Sequence, residues 1–209
     1  MNNNDFGLGN LLPTNVYERS IAKTYDLYLH DVIDGPDDYI EWNQLFRRAS
    51  ANDVIYVHIN SYGGQINTAI QMIRAMRETE ATIVTSIEGA CMSAATMIFL
   101  QGDVCEVSDH SQFMVHTYSG GSWGKGSEIL AQIMHDTDWI TNLMFDVYSG
   151  FLTDAEINGI IEGKDMWCSP DEVIDRLNKR ALYLEKQKKE AEKQEAAPKS
   201  TRKRAPKAK

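Results

Sequence analysis

An α/β layered domain is predicted from three features of the sequence. Runs rich in β-branched and aromatic residues at 26–30, 54–60 and 82–87 alternate with segments of helical periodicity. Each strand-like run closes on a break: Gly35-Pro36, Ser61-Tyr62-Gly63-Gly64, and the small-residue stretch from Glu88 to Ala95. The order strand, helix, strand, helix, strand is that of a sheet layered with helices.

The elements follow in chain order. Residues 1–24 open Asn- and Gly-rich with a proline at 13, and are read as a mobile N-terminal arm. Residues 26–30 alternate as a strand, and Asp37 is placed to cap a helix reaching about Ala49. The run 54–60 is almost continuously β-branched or aromatic, which predicts a strand covered on both faces. Ile66, Ala69, Ile70, Ile73 and Met76 then fall at helical spacing. After Ser93 comes a short apolar helix at 96–100, closed by Gly102, and short strands at 104–107 and 112–115, the last delivering His116. A long amphipathic helix is expected over 127–149, with Ile129, Ile133, Trp139, Ile140, Leu143, Met144 and Val147 apolar over much of its circumference. Thr153 caps one more helix. Ser169-Pro170-Asp171-Glu172 starts the last, with Ser169 as N-cap and Glu172 closing a capping box. The catalytic domain is therefore drawn at 25–182. Residues 183–209 form a charged tail, helical to about Ala197 and basic and disordered beyond Pro198.

Composition narrows the function. With 43% hydrophobic and 24% charged residues the chain reads as an ordinary soluble protein, and no apolar run approaches the roughly 18 residues of a membrane span. Asn and Asp occupy the start where a secretory signal needs basic and then apolar residues, so a cytoplasmic location is expected. Cys91, Cys105 and Cys168 are an odd count without a C-x-x-C pair, and the histidines complete no ligand pattern. No metal and no cofactor are expected. From Lys179 onward 12 Lys or Arg stand against 4 Glu, a tail of +8; the remaining 9 basic and 26 acidic residues leave a body of -17. Such a tail is either a solubilising extension or a docking segment for nucleic acid or an acidic partner.

Candidates for acyl-transfer chemistry are present singly. Ser93 sits where a strand and a small-residue turn meet a helix start, exposing its hydroxyl; a plain helix cap is the alternative. His116 ends the strand Phe113-Met114-Val115 and enters a Gly-rich loop; a structural histidine is the alternative. Asp165 precedes Trp167-Cys168-Ser169-Pro170, where a loop or capping carboxylate is equally ordinary.

Taken together, the motifs resemble ClpP, the proteolytic subunit family of the Clp protease, over about residues 26–177. Asn60-Ser61-Tyr62-Gly63-Gly64 is similar to the family's N-S-P-G-G turn, and Gly89-Ala90-Cys91-Met92-Ser93 resembles its G-x-x-x-S nucleophile motif. His116 matches the histidine after M-x, with Gly120-Gly121 behind it, and Asp165 falls where the family aspartate precedes an S-A-P-E-A segment. The resemblance implies a ClpP/crotonase-like spiral of β-β-α units with a protruding handle helix. It implies a serine endopeptidase with Ser93 as nucleophile, His116 as base and Asp165 orienting the histidine, the backbone N–H groups of Gly64 and Ala94 forming the oxyanion hole. It implies polypeptide substrates, two stacked seven-membered rings and a Clp-type ATPase. Tyr62, Ala94, Thr117-Tyr118 and Met166 stand where the family has proline, methionine, Gln-Pro and arginine. Three further readings stay open: a catalytically silent ring scaffold, a thioester-polarising relative of the enoyl-CoA hydratases, and a bacteriophage-type peptidase of capsid maturation.

Overall fold

A computed structural model describes residues 21–196. The expected arm at 1–24 falls outside them except for its last four residues, as does the tail beyond 196. The described chain runs β1 (Thr24–Ile33), a 3-10 turn (Pro36–Tyr39), α1 (Ile40–Arg48), β2 (Val54–Gly64), α2 (Ile66–Arg77), β3 (Thr82–Met92), α3 (Ala94–Phe99), β4 (Val104–Val107), β5 (Gln112–Val115), α4 (Gly126–Tyr148), α5 (Asp154–Ile161), β6 (Met166–Cys168) and α6 (Pro170–Ala196). This is the α/β class expected. Among the described residues no helix is long and apolar enough to cross a membrane.

The strands form one sheet in the order β1-β2-β3-β5-β6, with β4 also on β3. All pairs are parallel except β5 with β6. β3 forks: Val84–Ile87 pair with β4, while Ala90–Met92 pair with β5. Between β2 and β3 the register slips, Ile59 facing Ile87 but Ser61 facing Cys91. Asn60 fills the slip by accepting the Ala90 N–H on its Oδ1 at 2.9 Å. A Cβ at Gly89 would stand 2.5 Å from that oxygen, which explains the glycine. The small-residue stretch read as a turn is therefore mostly strand, and it carries the chain straight to Ser93.

The expectation that β2 is covered on both faces is half met. Ile55, Val57 and Ile59 are fully buried with Phe46, Met72 and Ile87, whereas Tyr56 and His58 are only partly covered and Asn60 is exposed. The helical start also moves, because Asp37 enters a 3-10 turn and α1 begins only at Ile40. The Ser169/Glu172 capping box forms as the sequence indicated, and Thr153, read as a cap, forms a second box with Glu156. Arg176 then grips Glu156 with two hydrogen bonds of 2.8 and 3.1 Å, tying α6 to α5 on either side of the segment that carries Asp165. Arg176 first, and the Thr153 cap after it, holds the Glu156 pKa down to about 2.

On the sheet's outer face His58 joins three strands. Its Nε2 is 3.0 Å from Asp26 on β1, its Nδ1 is 2.5 Å from Glu88 on β3, and the ring stacks on Tyr28 at 4.7 Å. The hydrogen bond to Asp26 chiefly, with Glu88, raises its pKa against the opposing effect of burial. A folded pKa above the unfolded value of about 6.5 means that this stabilisation is complete below the unfolded value. It is lost as pH rises through the folded one. His58→Gln is expected to destabilise the fold at pH 5.5 more than at pH 9, by a difference of about 1 kcal/mol or less because both carboxylates are half exposed. Thermal unfolding of both proteins across that range checks it.

Candidate active site

Ser93 is the junction between β3 and α3. Its N–H donates to the Met114 carbonyl at 2.9 Å, which ends the β3–β5 ladder, and α3 starts at the next residue. To turn that sharply Ser93 takes φ 54° and ψ -128°, a conformation that costs a non-glycine residue about 1–3 kcal/mol. Room for the turn comes from Gly63. At φ +90° this residue favours glycine, and a Cβ there would lie 2.7 Å from Ser93 Cβ and 2.6 Å from the Met92 carbonyl.

The hydroxyl does not cap the helix. Ser93 makes no side-chain cap hydrogen bond, and its Oγ lies 2.8 Å from His116 Nε2. His116 follows β5 directly and is half-buried, held by the strand on one side and open to the cleft on the other. When Ser93 donates its proton to Nε2, the imidazole carries its own proton on Nδ1. That places the Nδ1–H on the side where an orienting carboxylate is needed.

Asp165 is exposed and stands immediately before β6. The antiparallel ladder of β5 and β6 ends where Val115 pairs with Met166, and His116 and Asp165 are the next residues of the two strands beyond that pair. No hydrogen bond joins the two among the described residues. The strand that brings Asp165 there, β6, is three residues long and went unread in the sequence.

Ser93, Ala94, Gly64 and His116 line a single cleft of about 1050 Å³. One wall is the end of β1 with the Gly-Gly turn; the other is the loop after His116 together with Gln132, Ile133, Asp136 and Trp139 of α4. Ala94 is the first residue of α3, so its N–H has no acceptor within the helix. Gly64 lies against β1, where any Cβ would collide with the backbone of Ile33. Volume at the upper end of the small-molecule range, with an open side, suits an extended segment of chain. Among the described residues no group of three or more His, Cys, Asp or Glu side chains is arranged to hold a metal ion.

Two buried hydroxyls beneath the site escaped the sequence reading. Thr96 reaches the Ser93 carbonyl and Tyr148 reaches Thr96. The available signal was a lone hydroxyl in the otherwise apolar helix Ala94–Phe99.

A serine hydroxyl bonded to a histidine at a strand-to-helix turn has the geometry that activation of a hydroxyl by a base requires. The chain belongs to the Clp protease family, whose model, described as Clp protease, matches residues 38–176. Its ClpP-type α/β fold agrees with that membership. A protein described as the ATP-dependent Clp protease proteolytic subunit of Chlorella vulgaris is 35% identical over 83 residues, 39% of this chain and 41% of that protein. The corresponding protein of Pleurastrum terricola is 35% identical over 77 residues, 36% of this chain and 39% of its own. ATP-dependent Clp protease proteolytic subunit 1 of Salinibacter ruber is 29% identical over 122 residues, 56% and 52% of the two chains. The matched segments thus span from two fifths to about half the length of these relatives.

Proposed function

We propose that the chain is a ClpP-type serine endopeptidase that hydrolyses peptide bonds of unfolded proteins or peptides. The observation that carries this reading is the 2.8 Å contact between Ser93 Oγ and His116 Nε2, made at a strained turn in a cleft that Gly64 and Ala94 also line. Ser93 Oγ attacks the scissile carbonyl as its proton passes to His116 Nε2. The carbonyl oxygen becomes an oxyanion held by the N–H groups of Gly64 and Ala94. The tetrahedral intermediate collapses, His116 returns the proton to the leaving amine, and water repeats the sequence on the acyl-enzyme. Asp165 orients the Nδ1–H and stabilises the imidazolium. It reaches that position when substrate or a neighbouring subunit tightens the site, as catalytic hydrogen bonds often do.

The chain works as an oligomer in this reading, in two stacked heptameric rings enclosing a chamber, with a Clp-type ATPase feeding it. Support comes from the outer half of α4, where Leu130 is 60% and Met134 63% exposed, Ile133 is exposed, and nearby Trp123 is fully exposed. Apolar side chains gathered on a projecting helix call for a covering partner. The inner half is buried through Ile140, Met144 and Val147, so one helix serves domain and assembly. Hydrolysis of fluorogenic peptides by the full-length protein, with sedimentation of the same sample, tests both statements. Turnover by a species of ring size is expected; an inactive or monomeric protein contradicts the reading.

A further inference from the structure

Thr96 and Tyr148 lie outside the Ser93–His116 pair but act on its backbone. Thr96 Oγ1 is 2.6 Å from the Ser93 carbonyl oxygen and 2.6 Å from Tyr148 Oη. A carbonyl oxygen has no proton, so Thr96 must be the donor to it. With its one proton committed, Thr96 can only accept from Tyr148. The direction is therefore fixed, from Tyr148 through Thr96 to Ser93. Both side chains are buried, Thr96 completely and Tyr148 to 1% exposure. Burial also pushes the Tyr148 pKa up, which keeps the phenol a donor.

The bond to Ser93 matters because of what shares its peptide plane. The Ser93 carbonyl and the Ala94 N–H belong to one planar trans unit and point in opposite directions. Holding the carbonyl down into the core aims the N–H up into the cleft. A rotation of this peptide would instead turn a carbonyl dipole toward the developing oxyanion and repel it. The strained dihedrals of Ser93 make such a rotation a real competitor. The Thr96 N–H, donating to the same carbonyl at 3.0 Å, opposes it as well, but belongs to the helix in any case.

We propose that Thr96 and Tyr148 are positioning residues that hold the Ser93–Ala94 peptide in the orientation that presents the Ala94 N–H as an oxyanion donor. This rests on the peptidase reading above. It also links the catalytic turn to α4, since Tyr148 is the last residue of that helix.

The test compares Thr96→Val, Thr96→Ser, Tyr148→Phe and the double variant Thr96→Val/Tyr148→Phe in the full-length protein. Removing an oxyanion donor outright costs about 10²–10³ in kcat, so a donor left misaimed is expected to cost roughly 30-fold in Thr96→Val, with KM unchanged. Thr96→Ser keeps the hydroxyl and is expected to restore kcat to within about threefold. A peptide aldehyde, whose adduct with Ser93 carries the oxyanion, should lose affinity for Thr96→Val by the same factor as kcat. Thr96→Val alone strands the Tyr148 hydroxyl and lowers the melting temperature; the double variant removes both partners and should regain it. In the double variant kcat stays low. A kcat that recovers together with the melting temperature, or a Thr96→Val protein as active as wild type, overturns the proposal while leaving the peptidase reading intact. A wild-type protein without turnover overturns both.

Discussion

Ser93→Ala and His116→Ala are each expected to lower kcat for peptide cleavage by about 10⁶-fold, and Asp165→Asn by about 10⁴-fold. The first two values are nearly equal because nucleophile and base act as a unit: without His116 the hydroxyl is a weak nucleophile, and without Ser93 the base has nothing to activate. Double substitution should cost little more than either alone. Asp165 is the informative member of the series, because it is exposed and makes no hydrogen bond to His116, lying one residue beyond the last β5–β6 pair. An Asp165→Asn protein within threefold of wild type would remove Asp165 from the mechanism and leave the Ser93–His116 pair as the site. Steady-state kinetics on one fluorogenic peptide, with the melting temperature of each variant, separates loss of chemistry from loss of fold.

Arg180→Ala is expected to destabilise the domain by about 3 kcal/mol, a fall in melting temperature of roughly 6–12 °C for a chain of this size. Arg180 is buried, and its guanidinium donates to the carbonyls of Val147 at 2.5 Å, Ser149 at 3.3 Å and Leu100 at 3.4 Å. Those carbonyls lie at the C-terminal ends of α4 and α3, where helices leave acceptors unpaired and favour a positive charge. Removal strands the buried carbonyls of Val147 and Leu100 and the partly buried one of Ser149 at once. The same contact changes what a tail deletion does. The basic run begins at Lys179, and a deletion of 179–209 takes Arg180 with it. Tyr183, whose ring seats against Gly150, goes too. Deletion of 184–209 is expected to leave the melting temperature within a few degrees of the full chain. Deletion of 179–209 is expected to match or exceed the loss in Arg180→Ala.

The contrast between Arg180 and its neighbours shows what the sequence could disclose. Read by composition, Arg180 is one cation in a run of charges, and only the ends of two distant helices make it structural. Local chemistry was legible: Thr153 announced its helix as a cap, and Ser169 did so with its carboxylate three residues on. The Gly63-Gly64 pair marked the turn that closes β2, and the ordered motifs singled out Ser93 and His116, which the fold brings within 2.8 Å. Features whose partners lie far along the chain were not legible. The extension of β3 through Gly89 and Ala90 depends on β5, more than 20 residues later. β6 is too short to show any period, so the pairing of Met166 with Val115, one residue from Asp165 and from His116, appeared only in three dimensions. One exposed face of β2 was misjudged because tyrosine and histidine are as suited to a stacked, ion-paired outer surface as to a buried one.

Peptidase chemistry here depends most directly on the reactivity of one hydroxyl, which fluorophosphonate labelling of the full-length protein measures without any assumption about substrate. The expected result is a single phosphonyl adduct per chain, mapped by mass spectrometry to Ser93, absent from Ser93→Ala and formed far more slowly by His116→Ala. An assembled wild-type protein that remains unlabelled, or one labelled at another residue, would contradict it.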